Sequence, residues 1–429
     1  MFPWTREASC PRHAGGRDSA TIRFFEDPTG ETRMSSRTRT WSRRKFIGAI
    51  AAAAGASAIS RSALGADPLR IGLVIPKTGP FASTGRQVEA GCRLYLQQNG
   101  NTVAGRAVEL IVRDDTGTAP ELTKRVAQEL VVRDKVHVLA GFGLTPLAFA
   151  AAPVATETRV PMIVMAAATS SIPQKSPYIV RSGFTLPQVT APLAEWAAKN
   201  GIRTVVSLVS DYGPGIDAEK TFVRRFTDGG GTIAEAVRAP LANPDFAPFV
   251  QRAKDAKADA LFVFVPSGAG AAVMKQYAER GLRDAGTQLI CTGDVVDDDI
   301  LDAMGAPALG VVSSHHYSAA HPSARNKAYV AAFMQANAGM RPNFMSVGGY
   351  DGMHLILEAL TKTRGDADGD KLVAQMKAMA WESPRGPMSI DAATRDVVQD
   401  VYIRKVERVD GKLFNVEFAT IPHVKDPGA

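Results

Sequence analysis

From residue 70 onward the chain alternates short apolar runs with amphipathic stretches of helical length. Residues 70–75, 108–113, 136–140 and 161–165 read as strands, because each is a brief apolar run bounded by Gly, Pro or charged positions. A helix-period segment over 85–98 follows the first strand, and helix-length amphipathic segments separate the others. The rhythm restarts after a helix expected over 187–199, with strands at 204–209, 232–237, 260–265 and 288–291 and helices over 216–227, 245–257 and 270–281. Apolar strands separated by helices build a parallel sheet covered on both faces. The expectation is an α/β protein of two doubly wound parallel-sheet lobes.

Beyond residue 322 the pattern becomes mainly helical, over 324–338, 345–363 and 369–379. Strand candidates then return at 386–390 and 401–409, the latter turned by Asp410-Gly411 into 413–418 as a hairpin. These late elements must complete one lobe or the other, so the chain passes between lobes more than once. About 360 residues from Asp67 onward also exceed what one hydrophobic core supports, which favours two lobes.

The N-terminal region has a different character. Ser42-Arg43-Arg44-Lys45-Phe46-Ile47 opens an alanine-rich apolar segment that ends near Ala63-Leu64-Gly65-Ala66, the pattern of a twin-arginine export signal. The apolar part, 46–59, is 14 residues long, short of the roughly 20 a spanning helix needs. No cysteine adjoins the cleavage region, so a lipid anchor is not expected. Residues 1–33 read as an extension without targeting character, Met34 as the start, 34–66 as the signal, and the working chain as a periplasmic protein. The twin-arginine translocase is the partner this implies.

Charge follows the same division. The chain carries +7 overall, but residues 1–66 hold 11 Lys/Arg against 5 Asp/Glu, leaving 39 basic and 38 acidic residues beyond them. A nearly neutral working chain argues against nucleic acid as a partner. Cys92 and Cys291 fall in different expected lobes, so no disulfide is expected between them.

Six segments carry a resemblance: Gly72-Leu-Val-Ile-Pro-Lys-Thr-Gly-Pro-Phe-Ala-Ser-Thr-Gly85, Leu110-Ile-Val-Arg-Asp-Asp115, Ala140-Gly-Phe-Gly-Leu-Thr145, Ala166-Ala-Ala-Thr169, Ser210-Asp-Tyr-Gly213 and Gly349-Tyr-Asp351. In this order the chain resembles the periplasmic ligand-binding proteins of ABC importers, in the leucine/isoleucine/valine-binding branch. The resemblance implies two α/β lobes joined by three crossings, near 185–187, 316–318 and 381–384, closing on a small ligand that is handed to ABC permease membrane subunits. Lobe 1 is then 67–187 plus 318–381, and lobe 2 is 188–317 plus 382–429. No cofactor is implied.

An open α/β sheet binds ligands at its carboxyl edge, which directs attention to the loops after the strands. Ser83 and Thr84 offer hydroxyls before a helix, and Phe142, Gly143, Leu144 and Thr145 do likewise, with Pro146 preset for a first helical turn. Ala167, Ala168 and Thr169 supply small residues and then a hydroxyl, so a ligand can approach backbone N–H groups, and a helix N-terminus favours a carboxylate. By resemblance, Thr145, Ala167 and Thr169 hold the ligand's carboxylate. As a residue reading alone, the hydroxyls serve equally as helix caps.

From lobe 2 the candidates are Tyr212, Ser267, Gly268 and Asp294, with His316 or Tyr317 capping the cleft together with Phe142. The resemblance places Tyr212 on the ligand and Asp294 where amino-acid binders meet an ammonium; a surface tyrosine and an exposed loop acid are the plain alternatives. A hydrophobic or branched-chain amino acid is the first ligand expectation, and an aromatic carboxylate or amide the second. A ligand-sensing subunit of a signalling system remains open as a role.

Metal and enzyme readings find less support. His315, His316 and His321 lack metal-ligand spacing, and Asp297-Asp298-Asp299 lacks the alternation of a calcium loop and reads as a solvated helix start. Gly268-Ala-Gly270 lacks the third glycine of a dinucleotide loop, since Val273 stands there. No nucleophile elbow, phosphate loop or metal-hydrolase His-Glu pair is present. Asp211, His316 and Asp294 are the residual catalytic candidates, and the expectation is a binding protein rather than an enzyme.

Overall fold

The computed structural model describes residues 67–428; the expected export signal and the extension before it lie outside the described residues. Strands β1 (Leu69–Ile75), β2 (Thr102–Val103), β3 (Arg106–Asp114), β4 (Val138–Gly141), β5 (Met162–Val164) and β6 (Ile179–Arg181) form one sheet in the order β2-β3-β1-β4-β5-β6. Helices α1 (Ala82–Asn99), α2 (Pro120–Val132) and α3 (Thr145–Thr158) link them. All pairings are parallel except β2 with β3, a two-residue hairpin whose turn, Ala104-Gly105, has positive φ at both positions.

Past β6, Thr185 caps α4 (Leu186–Lys199) through a reciprocal box with Gln188, and the chain enters a second sheet. Its parallel half comprises β7 (Thr204–Ser210), β8 (Thr232–Ala239), β9 (Ala260–Phe264), β10 (Gln288–Thr292) and β11 (Val312–His315), with α5 (Gly213–Asp228), α6 (Ala247–Asp255), α7 (Gly270–Glu279) and α8 (Leu301–Met304) between them. Helices α9 (Ala324–Ala336), α10 (Phe344–Lys362) and α11 (Gly369–Met376) follow, with α9 and α10 packed on α1. The approach is close because glycines line it: a Cβ on Gly91 would stand 1.9 Å from the Ser346 carbonyl oxygen, and one on Gly349 2.4 Å from that of Val88.

The chain ends in β12 (Ala380–Ser383), β13 (Gly386–Ile390), β14 (Val397–Val409) and β15 (Lys412–Val424), all in the second sheet. The second sheet is mixed: the hairpin expected at 401–418 adds antiparallel strands to its parallel half. Tight turns at Pro384-Arg385 and Asp410-Gly411 leave no room for a crossover helix, so these strands pair antiparallel, and β14 lies antiparallel to β11. The third passage between sheets therefore falls just before β12 rather than at 381–384.

The acidic run 297–299 also departs from expectation. Asp297 and Asp298 are buried, and Asp297 Oδ2 accepts from Ser267 Oγ at 2.6 Å and Asn343 Nδ2 at 3.0 Å. Asp298 accepts from Asn415 Nδ2 at 3.0 Å, and Asp299 from Gln87 Nε2 at 3.2 Å. Gln87 belongs to α1 and Asn343 caps α10, so this run joins elements of the two sheets rather than meeting solvent. Cys92 and Cys291 are both free and buried.

A buried carboxyl outside the site gives a pH test. Asp115, after β3, accepts from the Gly117 N–H at 3.0 Å through Oδ1, while Oδ2 has no partner. Burial pushes its pKa up to about 6, with the Asp114 charge adding to the rise. Between about pH 4, where an unfolded carboxyl titrates, and pH 6 the folded state holds more protons, so stability falls as pH rises through that window. Asp115→Asn is expected to gain about 2–3 kcal/mol relative to the parent at pH 7.5, and little at pH 4. Urea unfolding at both values checks it, and an equal gain at the two pH values would refute the assignment.

A candidate ligand cavity between the two sheets

Chain order reverses direction between β1 and β4 in the first sheet and between β7 and β9 in the second. Crevices at such switch points form outside the carboxyl ends of the strands. The loops after β1, β4, β5, β7, β9 and β10 converge on one small cavity. Beyond the mouth it shares Phe81, Leu144, Pro266 and Ser267 with a wider apolar groove.

Four aromatic rings line the cavity: Phe81, Phe184, Tyr212 and Phe264. Tyr212 stacks on Phe264 with ring centroids 6.1 Å apart and planes 17° apart. Burial and the charge of Asp294 push the Tyr212 hydroxyl well above its ordinary value, so it stays a donor. The wall includes no lysine or arginine, and Asp294 is its one acid.

Helix starts replace basic side chains as the positive element. Helices α1, α3 and α5 begin on this wall at Phe81, Leu144 and Tyr212, and none has a side-chain cap. Their first-turn N–H groups and dipoles favour a carboxylate. In α3, Pro146 occupies the first turn, where no N–H is needed. Thr145 Oγ1 bonds Thr169 Oγ1 at 3.1 Å, which links the α3 start to the loop after β5.

That loop is held from behind by Arg181. Its guanidinium donates to the carbonyls of Ala167 at 2.6 Å, Thr169 at 2.7 Å and Phe184 at 3.1 Å, and pairs with the Asp396 carboxylate. With the Ala167 carbonyl turned to Arg181 and that of Ala168 accepting from the Leu186 N–H, the small side chains of Ala167 and Ala168 remain on the wall. Across the cleft, Gly213 approaches so closely that a Cβ would stand 2.7 Å from Thr169 Oγ1. The Ser170 N–H also donates to Asp217 Oδ2 on α5, at 3.1 Å.

Of the residues expected from sequence, Thr84, Gly143, Leu144, Thr145, Ala167, Ala168, Tyr212, Ser267 and Asp294 come together on this wall. Ser83 and Gly268 are neighbours of the wall at the cleft mouth, where Gly268 lines the outer groove. Thr169 sits one layer back, behind Thr145. Phe142 and Tyr317 are fully buried in the hydrophobic core, because β4 and β11 turn them inward. His316 lies behind Phe184, ring centroids 4.8 Å apart, so Phe184 takes the place expected for it. Asp211 turns outward to Arg238, at 3.7 Å, away from His316 and Asp294.

Sequence reasoning did not single out Phe184, Leu186, Phe264, Pro266 or Met345. Phe264 ends a strand and Phe184 precedes the Thr185 cap, and an aromatic at such a boundary is the signal that finds them.

A family model described as periplasmic binding protein matches residues 68–412. The chain belongs to this family. The binding protein is 44% identical over 373 residues to "Leu/Ile/Val-binding protein homolog 6" of Brucella abortus, covering 86% of this chain and 96% of the relative. A solute binding protein of an ABC transporter from Rhodopseudomonas palustris BisB5, solved with 3,4-dihydroxybenzoic acid, is 60% identical with a TM-score of 0.82, covering 84% of this chain and 99% of that one. Its counterpart from Rhodopseudomonas palustris HaA2, solved with p-hydroxybenzoic acid, is 44% identical with the same TM-score and coverage. The fold is thus that of the type I periplasmic binding proteins, and the protein is a solute-binding protein of an ABC transporter. No helix of the described residues is long and apolar enough to cross a membrane.

Proposed function

We propose that this binding protein captures a small aromatic carboxylate and delivers it to a membrane permease. The observation carrying the reading is the pairing of four aromatic walls with uncapped helix starts: rings for stacking at one part of the cavity, N–H groups for an anion at another. The Thr145 and Ala168 region takes the carboxylate in this reading. Two related proteins solved with hydroxybenzoates support it over a branched-chain amino acid.

Delivery requires the two lobes to close on the ligand through contacts made by both. Only a difference in affinity between open and closed forms drives that closure. The twin-arginine signal at 34–66 carries the folded chain to the periplasm.

A thermal-shift comparison tests the ligand class. At about 100 times the dissociation constant, binding adds about 2.7 kcal/mol of stability. 4-Hydroxybenzoate and 3,4-dihydroxybenzoate are expected to raise the melting temperature, and leucine, isoleucine and valine are not. A shift with the aliphatic amino acids and none with the benzoates would replace this reading with the amino-acid one.

A further inference from the structure

Asp294 follows β10 on the cavity wall and is only 3% exposed. Its Oδ2 accepts no hydrogen bond, although His315 Nε2 lies 3.5 Å away and is itself without a partner. A carboxylate and an imidazole thus face each other, each with unused hydrogen-bonding capacity, at the edge of an aromatic cavity. Buried polar groups left in that condition cost stability unless something else satisfies them.

The tautomer of His315 follows from its other nitrogen. Nδ1 accepts the backbone N–H of His316 at 3.0 Å, so Nδ1 carries the lone pair and the neutral ring bears its proton on Nε2, toward Asp294. The ring is packed between Phe184 and Phe344, with centroids 4.8 and 4.2 Å away. Burial, with further help from the charges of Arg404 and Arg385, brings its pKa down to about 4 despite Asp294. His315 therefore presents a neutral ring with its N–H toward Asp294. Oδ2 is the oxygen turned to His315, which leaves Oδ1 for a ligand.

We propose that Asp294, with the His315 Nε2–H facing it from behind, accepts a hydrogen bond from a hydroxyl on the ligand's ring, so that the cavity selects hydroxylated aromatic carboxylates over unsubstituted benzoate. This rests on the aromatic-carboxylate reading above. Asp294 is the one acid on the wall, and a ring hydroxyl brings it a donor. A plain ring would instead desolvate the carboxylate and offer nothing in return, and sites built to bind a hydroxyl discriminate strongly on that ground. His315 is a positioning residue, since it touches Asp294 and not the ligand.

Calorimetric titration of the exported chain with benzoate and 4-hydroxybenzoate, at pH 5.5 and 7.5, tests the pair. The parent is expected to favour 4-hydroxybenzoate by about 10- to 100-fold, with a ratio unchanged between the two pH values because His315 stays neutral. Asp294→Ala is expected to bring the ratio toward unity, with benzoate affinity kept or raised because no carboxylate is left desolvated, and that retained benzoate binding reports an intact fold. His315→Phe should lower the ratio, and His315→Gln, whose amide N–H can take the donor's place, should restore part of it. A ratio that survives Asp294→Ala, or affinities for both acids that fall together, would overturn the proposal. If neither acid binds the parent and leucine does, the aromatic-carboxylate reading itself fails, a different result from equal binding of the two acids.

Discussion

Replacing Arg385 by Met is expected to destabilise the protein by about 3–5 kcal/mol, more than any surface change. Arg385, in the turn between β12 and β13, is fully buried. Its guanidinium lies 2.9 Å from Asp351 of α10 and donates to the carbonyls of Gly183 and Ser182, just past β6, and to Gln399 of β14. Asp351 also accepts from Trp381 Nε1 at 3.0 Å and Ser383 Oγ at 2.8 Å. Two of the chain's passages between its sheets, after β6 and before β12, thus meet α10 and β14 at one ion pair. Met matches the length of the side chain but leaves Asp351 as an uncompensated buried charge. The paired change Arg385→Met with Asp351→Leu should recover most of the loss, because removing both charges also removes their desolvation cost. Urea unfolding of parent, single and double variants measures this, and a single-variant cost under about 1 kcal/mol would show the pair to be dispensable.

The parallel strands and the helices between them were legible because each is a continuous apolar run or a clear helical period, and the structure places them within a few residues of expectation. Two parallel strands were missed: β6, only three residues long, and β11, for the opposite reason. Its sequence, Val-Ser-Ser-His, looks polar, yet all four residues are buried, with Ser313 satisfied by Arg404. His316 and Tyr317 were expected at the cleft because they fall at a passage between lobes, and they are instead fully buried behind it. The β2–β3 hairpin escaped because two residues carry no periodicity, and only the turn Ala104-Gly105 marks it.

At the site, the carboxyl-edge argument located the right loops, and the hydroxyl and small residues in them do gather around one cavity. What it could not supply was the aromatic lining. Phe184 and Phe264 are ordinary core residues by sequence, and only the meeting of two sheets turns their faces toward shared space. The acidic run at 297–299 shows the same limit from the polar side. Its partners Gln87, Asn343 and Asn415 lie far away in sequence, so a run that reads as solvated becomes a buried junction.

Arg181 connects stability with binding, and replacing it by Met is expected to reduce both. The loss of its pairing with Asp396 should cost about 3–5 kcal/mol by the same logic as at Arg385. The carbonyls of Ala167, Thr169 and Phe184 would also lose their common donor, freeing the loop after β5 and the Phe184 wall together. A ligand would then have to order that loop on binding, which should weaken affinity by roughly tenfold, about 1.4 kcal/mol. Adding Asp396→Leu separates the two effects. The double variant should regain most of the stability, since no buried charge is left alone, while affinity for 4-hydroxybenzoate stays low because the carbonyls remain without a donor. Unfolding and titration of the same two variants decide the matter: if affinity returns along with stability, the loop holds its shape without Arg181, and the arginine serves the fold alone.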